Sequence, residues 1–93
     1  MTDVIKRNGM KEPLRPEKIQ KSLEEAVRDA GFKPEQKMNV IEHASQDAIQ
    51  MAKRIDHVES KQIRDTILND LEQDDNQVAQ AWIKYEQQHS INY

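Results

Sequence analysis

A chain of 93 residues has room for one modest core, because burial is limited below about 100 residues, and a large active-site cavity is excluded with it. With 35% hydrophobic and 33% charged residues the composition suits a soluble domain whose helices each bury one stripe, and the absence of cysteine removes disulfides, zinc ribbons and thiol catalysis. The formal net charge of -3 counts against a nucleic-acid duplex as the main partner, since that mode of binding rests on neutralising phosphates.

Asn8-Gly9 lies at the centre of residues 4–14, and this dipeptide best tolerates the positive φ values of a two-residue type I′ turn, so a β-hairpin is predicted. In that register Arg7 lies opposite Met10, Lys6 opposite Lys11 and Ile5 opposite Glu12. Pro13 and Pro16 punctuate the exit, Pro16 standing near the first turn of a helix where its missing N–H costs nothing. Ile19, Leu23, Ala26, Val27 and Ala30 draw one apolar stripe, which predicts a helix over residues 16–30 that Gly31 ends in the left-handed conformation. A second helix starts near Pro34 or Glu35 and turns Met38, Ile41, Ala44, Ala48, Met51 and Ala52 inward, its alanines permitting close approach of a neighbour. The periodicity breaks at residues 55–58, which read as a short strand that adds to the hairpin. Ser60 is the expected N-cap of a third helix carrying Ile63, Ile67, Leu68 and Leu71. Asp74, with Gln77 three residues on, is the expected cap of a fourth, with Val78, Ala81, Trp82 and Tyr85 on one face. The expected fold class is therefore α+β, helices packed beneath a small sheet, in a single domain over residues 1–93 without repeats or linkers.

Charge is unevenly spread. Residues 1–22 hold six bases against three acids, a surplus of +3, while the remainder is -6, and a compact anion is the partner such a surplus suggests. Two lysines facing each other across a hairpin cost a few tenths to roughly 1 kcal/mol, which a polyphosphate along that face would relieve. Two solvated lysines splayed apart explain the pattern equally well. Lys18 falls in the first turn of the predicted helix, where the dipole favours anions, so Lys6, Arg7, Lys11 and Lys18 are expected to border one site. Taken singly, each is an ordinary surface cation. With only Gly9 and Gly31 in the chain, neither a GxxxxGK nor a GxGxxG cradle can be built. No nucleophile with its histidine and carboxylate can be placed together, and His43, His57 and His89 read as boundary residues rather than metal ligands. Glu24, Glu25, Asp70, Asp74 and Asp75 read as solvated faces and caps, and Trp82 and Tyr85 as core in preference to interface anchors. No apolar run approaches the roughly 20 residues that span a bilayer and no signal-peptide pattern opens the chain, so the expected location is cytoplasmic.

Val4-Ile5-Lys6-Arg7-Asn8-Gly9, then Glu12-Pro13-Leu14, then Pro16-Glu17-Lys18-Ile19, resemble the ATP-cone signature, approximately V-x-K-R-D-G, E-P-F and K-I. Val58-Glu59-Ser60 before Gln62-Ile63, and Val78-Ala79 before Trp82-Ile83-Lys84-Tyr85, resemble that family's third-helix start and closing helix, so the likeness covers essentially the whole chain. The resemblance implies a four-helix bundle capped by a three-stranded sheet that includes the N-terminal hairpin, binding ATP or dATP, with or without Mg²⁺, between sheet and helices. It implies that Lys6, Arg7 and Lys18 contact phosphates, that Glu12 helps read the adenine, and that Val4, Leu14, Ile19 and Ile63 wall the base. Core packing is the simpler reading of those four apolar residues, and the two are compatible. Ser60 and Arg64 occupy positions that, in the family it resembles, approach the sugar or phosphates. Asn8 stands where the family has Asp, Leu14 where Phe is common, and Glu86 where Arg is frequent. Arg15 stands where the family usually has a small polar residue near the adenine, and a guanidinium accepts no hydrogen bond.

The function this implies is a non-catalytic regulatory module, of the kind attached to ribonucleotide reductases and to the bacterial repressor of their genes, here acting on a protein partner or in a homo-oligomer. A degenerate cone serving as an interaction domain without ligand is the competing expectation, motivated by Arg15 and Glu86. Nucleic-acid binding through the basic hairpin is weaker still, and no membrane partner is expected.

Overall fold

Among the described residues only Gly9 and Gly31 have positive φ, at 84° and 92°, and each marks a place where the chain must reverse. The computed structural model describes residues 2–6 and 8–88. Strands β1 (Asp3–Ile5) and β2 (Lys11–Pro13) precede helix α1 (Pro16–Asp29). A 3₁₀ turn (Pro34–Lys37) leads into α2 (Met38–Lys53), then β3 (His57–Glu59), α3 (Ser60–Asp74) and α4 (Asn76–Gln88). The architecture is α+β, four helices and a three-stranded sheet, as expected. The sheet order is β2-β1-β3, with β1 antiparallel to β2 and parallel to β3. The short strand thus adds to the hairpin beside its first strand.

The hairpin register differs from expectation by one residue. Val4 pairs with Glu12 and Ile5 with Lys11, while the Lys6 N–H donates to the Met10 carbonyl at 2.8 Å and the Gly9 N–H to the Lys6 carbonyl at 2.9 Å. The loop therefore holds three residues, with Gly9 in the left-handed position of a bulge, instead of the two residues of a type I′ turn. The reason is local: a type I′ turn needs positive φ at both central residues, and Asn8 does not adopt it. Its side-chain oxygen instead accepts the Met10 N–H at 3.1 Å. Because side chains alternate, a shift of one residue moves every β2 side chain to the other face. Lys6 consequently does not face Lys11, and Glu12 does not face Ile5. Arg7 lies outside the described residues.

Helix α1 ends as predicted. The Phe32 N–H bonds the Val27 carbonyl at 3.1 Å and the Gly31 N–H bonds the Arg28 carbonyl at 3.0 Å, the paired bonds of a Schellman closure, and Phe32 folds back against the core. Two caps move by one residue. Glu59, not Ser60, caps α3, its carboxylate accepting from the Gln62 backbone while the Gln62 Oε1 accepts the Glu59 N–H at 2.9 Å. Ser60 is the first helical residue and is buried. Asp75, not Asp74, caps α4, its Oδ1 accepting the Gln77 N–H at 3.1 Å while its Oδ2 takes the Lys37 ammonium at 2.8 Å. The same Lys37 lies 5.0 Å from the centre of the Phe32 ring, tying the 3₁₀ turn to the α3–α4 junction.

Ile19, Leu23, Ile41, Ile63, Ile67, Leu71, Val78 and Trp82 meet in one core with Val4 and Val58 from the inner face of the sheet. Ala44, Ser45, Ala48 and Ala52 form a buried stripe of small side chains along α2, where Ser45 satisfies its hydroxyl on the Ile41 carbonyl at 2.7 Å. Trp82 and Tyr85 are buried, as the core reading expected, and stack with centroids 6.3 Å apart. His43 and His57 are exposed beside Asp74 and Asp3, while His89 lies outside the described residues. Asp70 is a correction: it is buried in the interior, only 7% exposed, and does not belong to a solvated face.

Candidate functional site

The register of the hairpin decides what its inner face carries. Val4, Lys6 and Glu12 share it, and the Lys6 ammonium reaches the Glu12 carboxylate at 2.6 Å. The Lys6 side chain is only 17% exposed and that of Glu12 37%, so the lysine is the more enclosed partner. The hydrogen bond from Lys6 holds the Glu12 carboxyl below its ordinary value, helped by the charges of Lys6, Lys18 and Arg15 and opposed by desolvation. Three cations thus act on one carboxylate. Lys11, expected at the same site, is directed to the outer face instead, opposite Ile5.

Helix α1 opens at this end of the molecule. Arg15 is its N-cap and makes no side-chain cap hydrogen bond, as its chemistry requires, and Pro16 follows at the first helical position. The Lys18 N–H turns back to the Arg15 carbonyl at 3.1 Å. The helix start therefore presents its positive end and two exposed cationic side chains, Arg15 and Lys18, next to Glu12.

Of the four apolar residues expected at the site, Val4, Ile19 and Ile63 are at most 1% exposed and belong to the core, whereas Leu14 is partly buried at its edge. Ser60 is buried at the start of α3. Arg64, one turn further, has its Nε 3.3 Å from a Glu86 carboxylate oxygen, which brings the α4 acid against the α3 base. Burial pushes the Glu86 carboxyl up, with Arg64 pulling the other way. Lys6, Glu12, Arg15 and Lys18 are therefore brought together, while Arg64 is matched by an acid of its own.

A second group of carboxylates was not foreseen as a group. Asp70 on α3 meets Asp47 on α2, and burial, then Asp47, pushes its carboxyl up to about 6. His43 and Asp74 flank the pair, and the hydrogen bond to Asp74 raises the His43 titration. Among the described residues no three His, Asp or Glu side chains are arranged to hold a metal ion. A shallow cleft of about 150 Å³ between α1 and α4, lined in part by Ala30, Lys84 and Tyr85, is below the roughly 300 Å³ at which small-molecule pockets begin.

A family model described as the ATP cone domain matches residues 2–91. No curated protein gives a significant match to the chain.

Proposed function

The chain belongs to the ATP-cone family, whose members are nucleotide-binding regulatory domains, and from that premise we propose that it binds ATP or dATP at the hairpin end of the bundle and signals the bound state to a protein partner. The observation that carries this reading is the concentration of Lys6, Arg15 and Lys18 around the carboxylate of Glu12, beside a helix start that has no side-chain cap. An uncapped N-terminus forgoes about 1 kcal/mol that Ser, Thr, Asp or Asn would supply, and an anionic ligand offers the same compensation. In this reading Lys6, Arg7 and Lys18 bind the phosphates, and Glu12 accepts from the base amine. Leu14 meets the ring, packed on the core that Val4, Ile19 and Ile63 form beneath it. Ser60 and Arg64 complete the sugar and phosphate side, and Arg15 donates to ring nitrogens. A Mg²⁺ ion, where present, rides on the phosphates.

The role is regulatory and not catalytic, and a partner linked to nucleotide metabolism is the natural reader in an ATP-replete compartment such as the cytoplasm. Among the described residues no helix is long and apolar enough to cross a membrane. Calorimetric titration with ATP, dATP and AMP tests the proposal. Saturable heats with the two triphosphates and a much weaker response to AMP are expected; silence at millimolar ATP removes the reading.

One observation favours a second reading, an interaction domain without ligand: Arg64 is already matched by Glu86 and Lys6 by Glu12. Solution mass measured with and without ATP separates the two, since self-association indifferent to nucleotide belongs to the ligand-free scaffold.

A further inference from the structure

We propose that Glu12 is a resident counter-anion for Lys6, so that a polyphosphate binds by exchange, taking Lys6 from Glu12 and releasing the carboxylate to meet a hydrogen-bond donor of the ligand. The inference deepens the nucleotide-binding reading and rests on it. Its basis is the three-residue loop. Had the turn held two residues, Glu12 would lie on the outer face; the bulge at Gly9 brings it to the inner face and within 2.6 Å of the Lys6 ammonium.

Charge decides the direction of the exchange. Lys6, Arg15 and Lys18 all act on Glu12, and with Glu17 in the first turn of α1 counted beside it the bases still outnumber the acids after the pair has formed. A phosphate chain carries several negative charges and presents acceptors on every side, and it satisfies that surplus where a single carboxylate cannot. Exposure decides which partner moves. Lys6 is the more enclosed partner at 17% exposure, whereas Glu12 at 37% has the shorter way into water or toward an incoming group. A carboxylate only accepts, so once released it selects ligands that place an N–H or O–H donor beside the phosphate chain, as the exocyclic amine of adenine does. The same residue thereby opposes bare polyphosphate and favours a nucleotide.

The pair makes Glu12→Gln diagnostic, because the amide keeps the shape and an acceptor while losing the charge. Inorganic tripolyphosphate and ATP are titrated into the full chain and the variant at the same salt, with thermal unfolding as a check on folding. The affinity of the variant for tripolyphosphate is expected to rise about three- to tenfold, the strength of a partly exposed charge-assisted bond, while the ratio of ATP to tripolyphosphate affinity falls. In the unsubstituted chain, NMR titration of the Glu12 carboxyl is expected to move upward when tripolyphosphate is added. ATP binding with no gain in tripolyphosphate affinity on substitution overturns the exchange and leaves the nucleotide reading standing. Absence of binding by either protein to either ligand overturns both. A variant that takes tripolyphosphate where the unsubstituted chain takes neither ligand supports the resident counter-anion and removes the nucleotide reading.

Discussion

The sheet end of the molecule and the α2–α3 interface each hold an acid that takes its properties from its neighbours, and they are displaced in opposite directions. Glu12 sits among Lys6, Arg15 and Lys18 and titrates below its ordinary value; Asp70 is buried opposite Asp47, with His43 and Asp74 nearby, and is pushed up to about 6. In the first case a neighbouring cation favours the ionised form, and in the second burial and a neighbouring carboxyl disfavour it. The difference separates a carboxylate that can exchange partners from one that can only gain or lose a proton.

The largest effect is expected from neutralising Asp70. Its folded value lies above the ordinary aspartate value of 3.8, so the native state holds the proton more tightly, and the favourable contribution fades as pH rises through about 6. Asp70→Asn, which removes the charge, is expected to gain about 2 kcal/mol over the parent at pH 8 and much less at pH 4. Urea unfolding at the two pH values measures this, and an equal difference at both contradicts the buried-acid account.

Lys6→Ala tests the other region and should weaken ATP binding by about tenfold with helical content unchanged, a charge-assisted contact being worth roughly 1.5–3 kcal/mol at most. Loss of folding instead of loss of binding would place Lys6 in the scaffold. Lys18→Ala should act in the same direction.

A smaller effect sharpens the contrast between exchangeable and fixed carboxylates. Asp75 is also held low by a lysine, Lys37, yet it caps α4, so Asp75→Ala should cost about 1 kcal/mol of stability whatever ligand is present. Because its value is lowered, that contribution is present at neutral pH and is lost as the solution is acidified. Guanidinium melts with and without ATP check it. The smallest change is expected from His43→Asn. The His43 value is raised by Asp74, so any loss should appear on the acid side and vanish as pH climbs above the imidazole titration. A thermal shift series from pH 5 to pH 8, about the ordinary range of histidine, follows it.

Helix positions were legible because apolar residues recur at a spacing that only a helix turns into one face, and Gly31 could end α1 in a conformation few other residues accept. The basic character of the hairpin end was legible too. Its register was not, since Asn8-Gly9 serves a two-residue turn and a three-residue loop with a bulge almost equally well, and one residue of difference sends Glu12 inward and Lys11 outward. Caps moved for a tertiary reason: Asp74 and Asp75 both offer a carboxylate, and Lys37, from a distant turn, fastens the second. Asp70 could have been found. It falls three residues after Ile67 and one before Leu71, on the stripe that α3 turns toward the core, and its polarity hid a position that geometry marks as interior.

β1 has hydrogen-bonded neighbours on both flanks, and β3 runs into α3 without an intervening loop. A strand held on two sides does not slide alone. The first turn of α3 is therefore moored to the sheet through the chain itself, immediately after the strand that pairs with β1. The hairpin and the head of α3 thus share one mooring, Val4 lying beside Val58 at its centre.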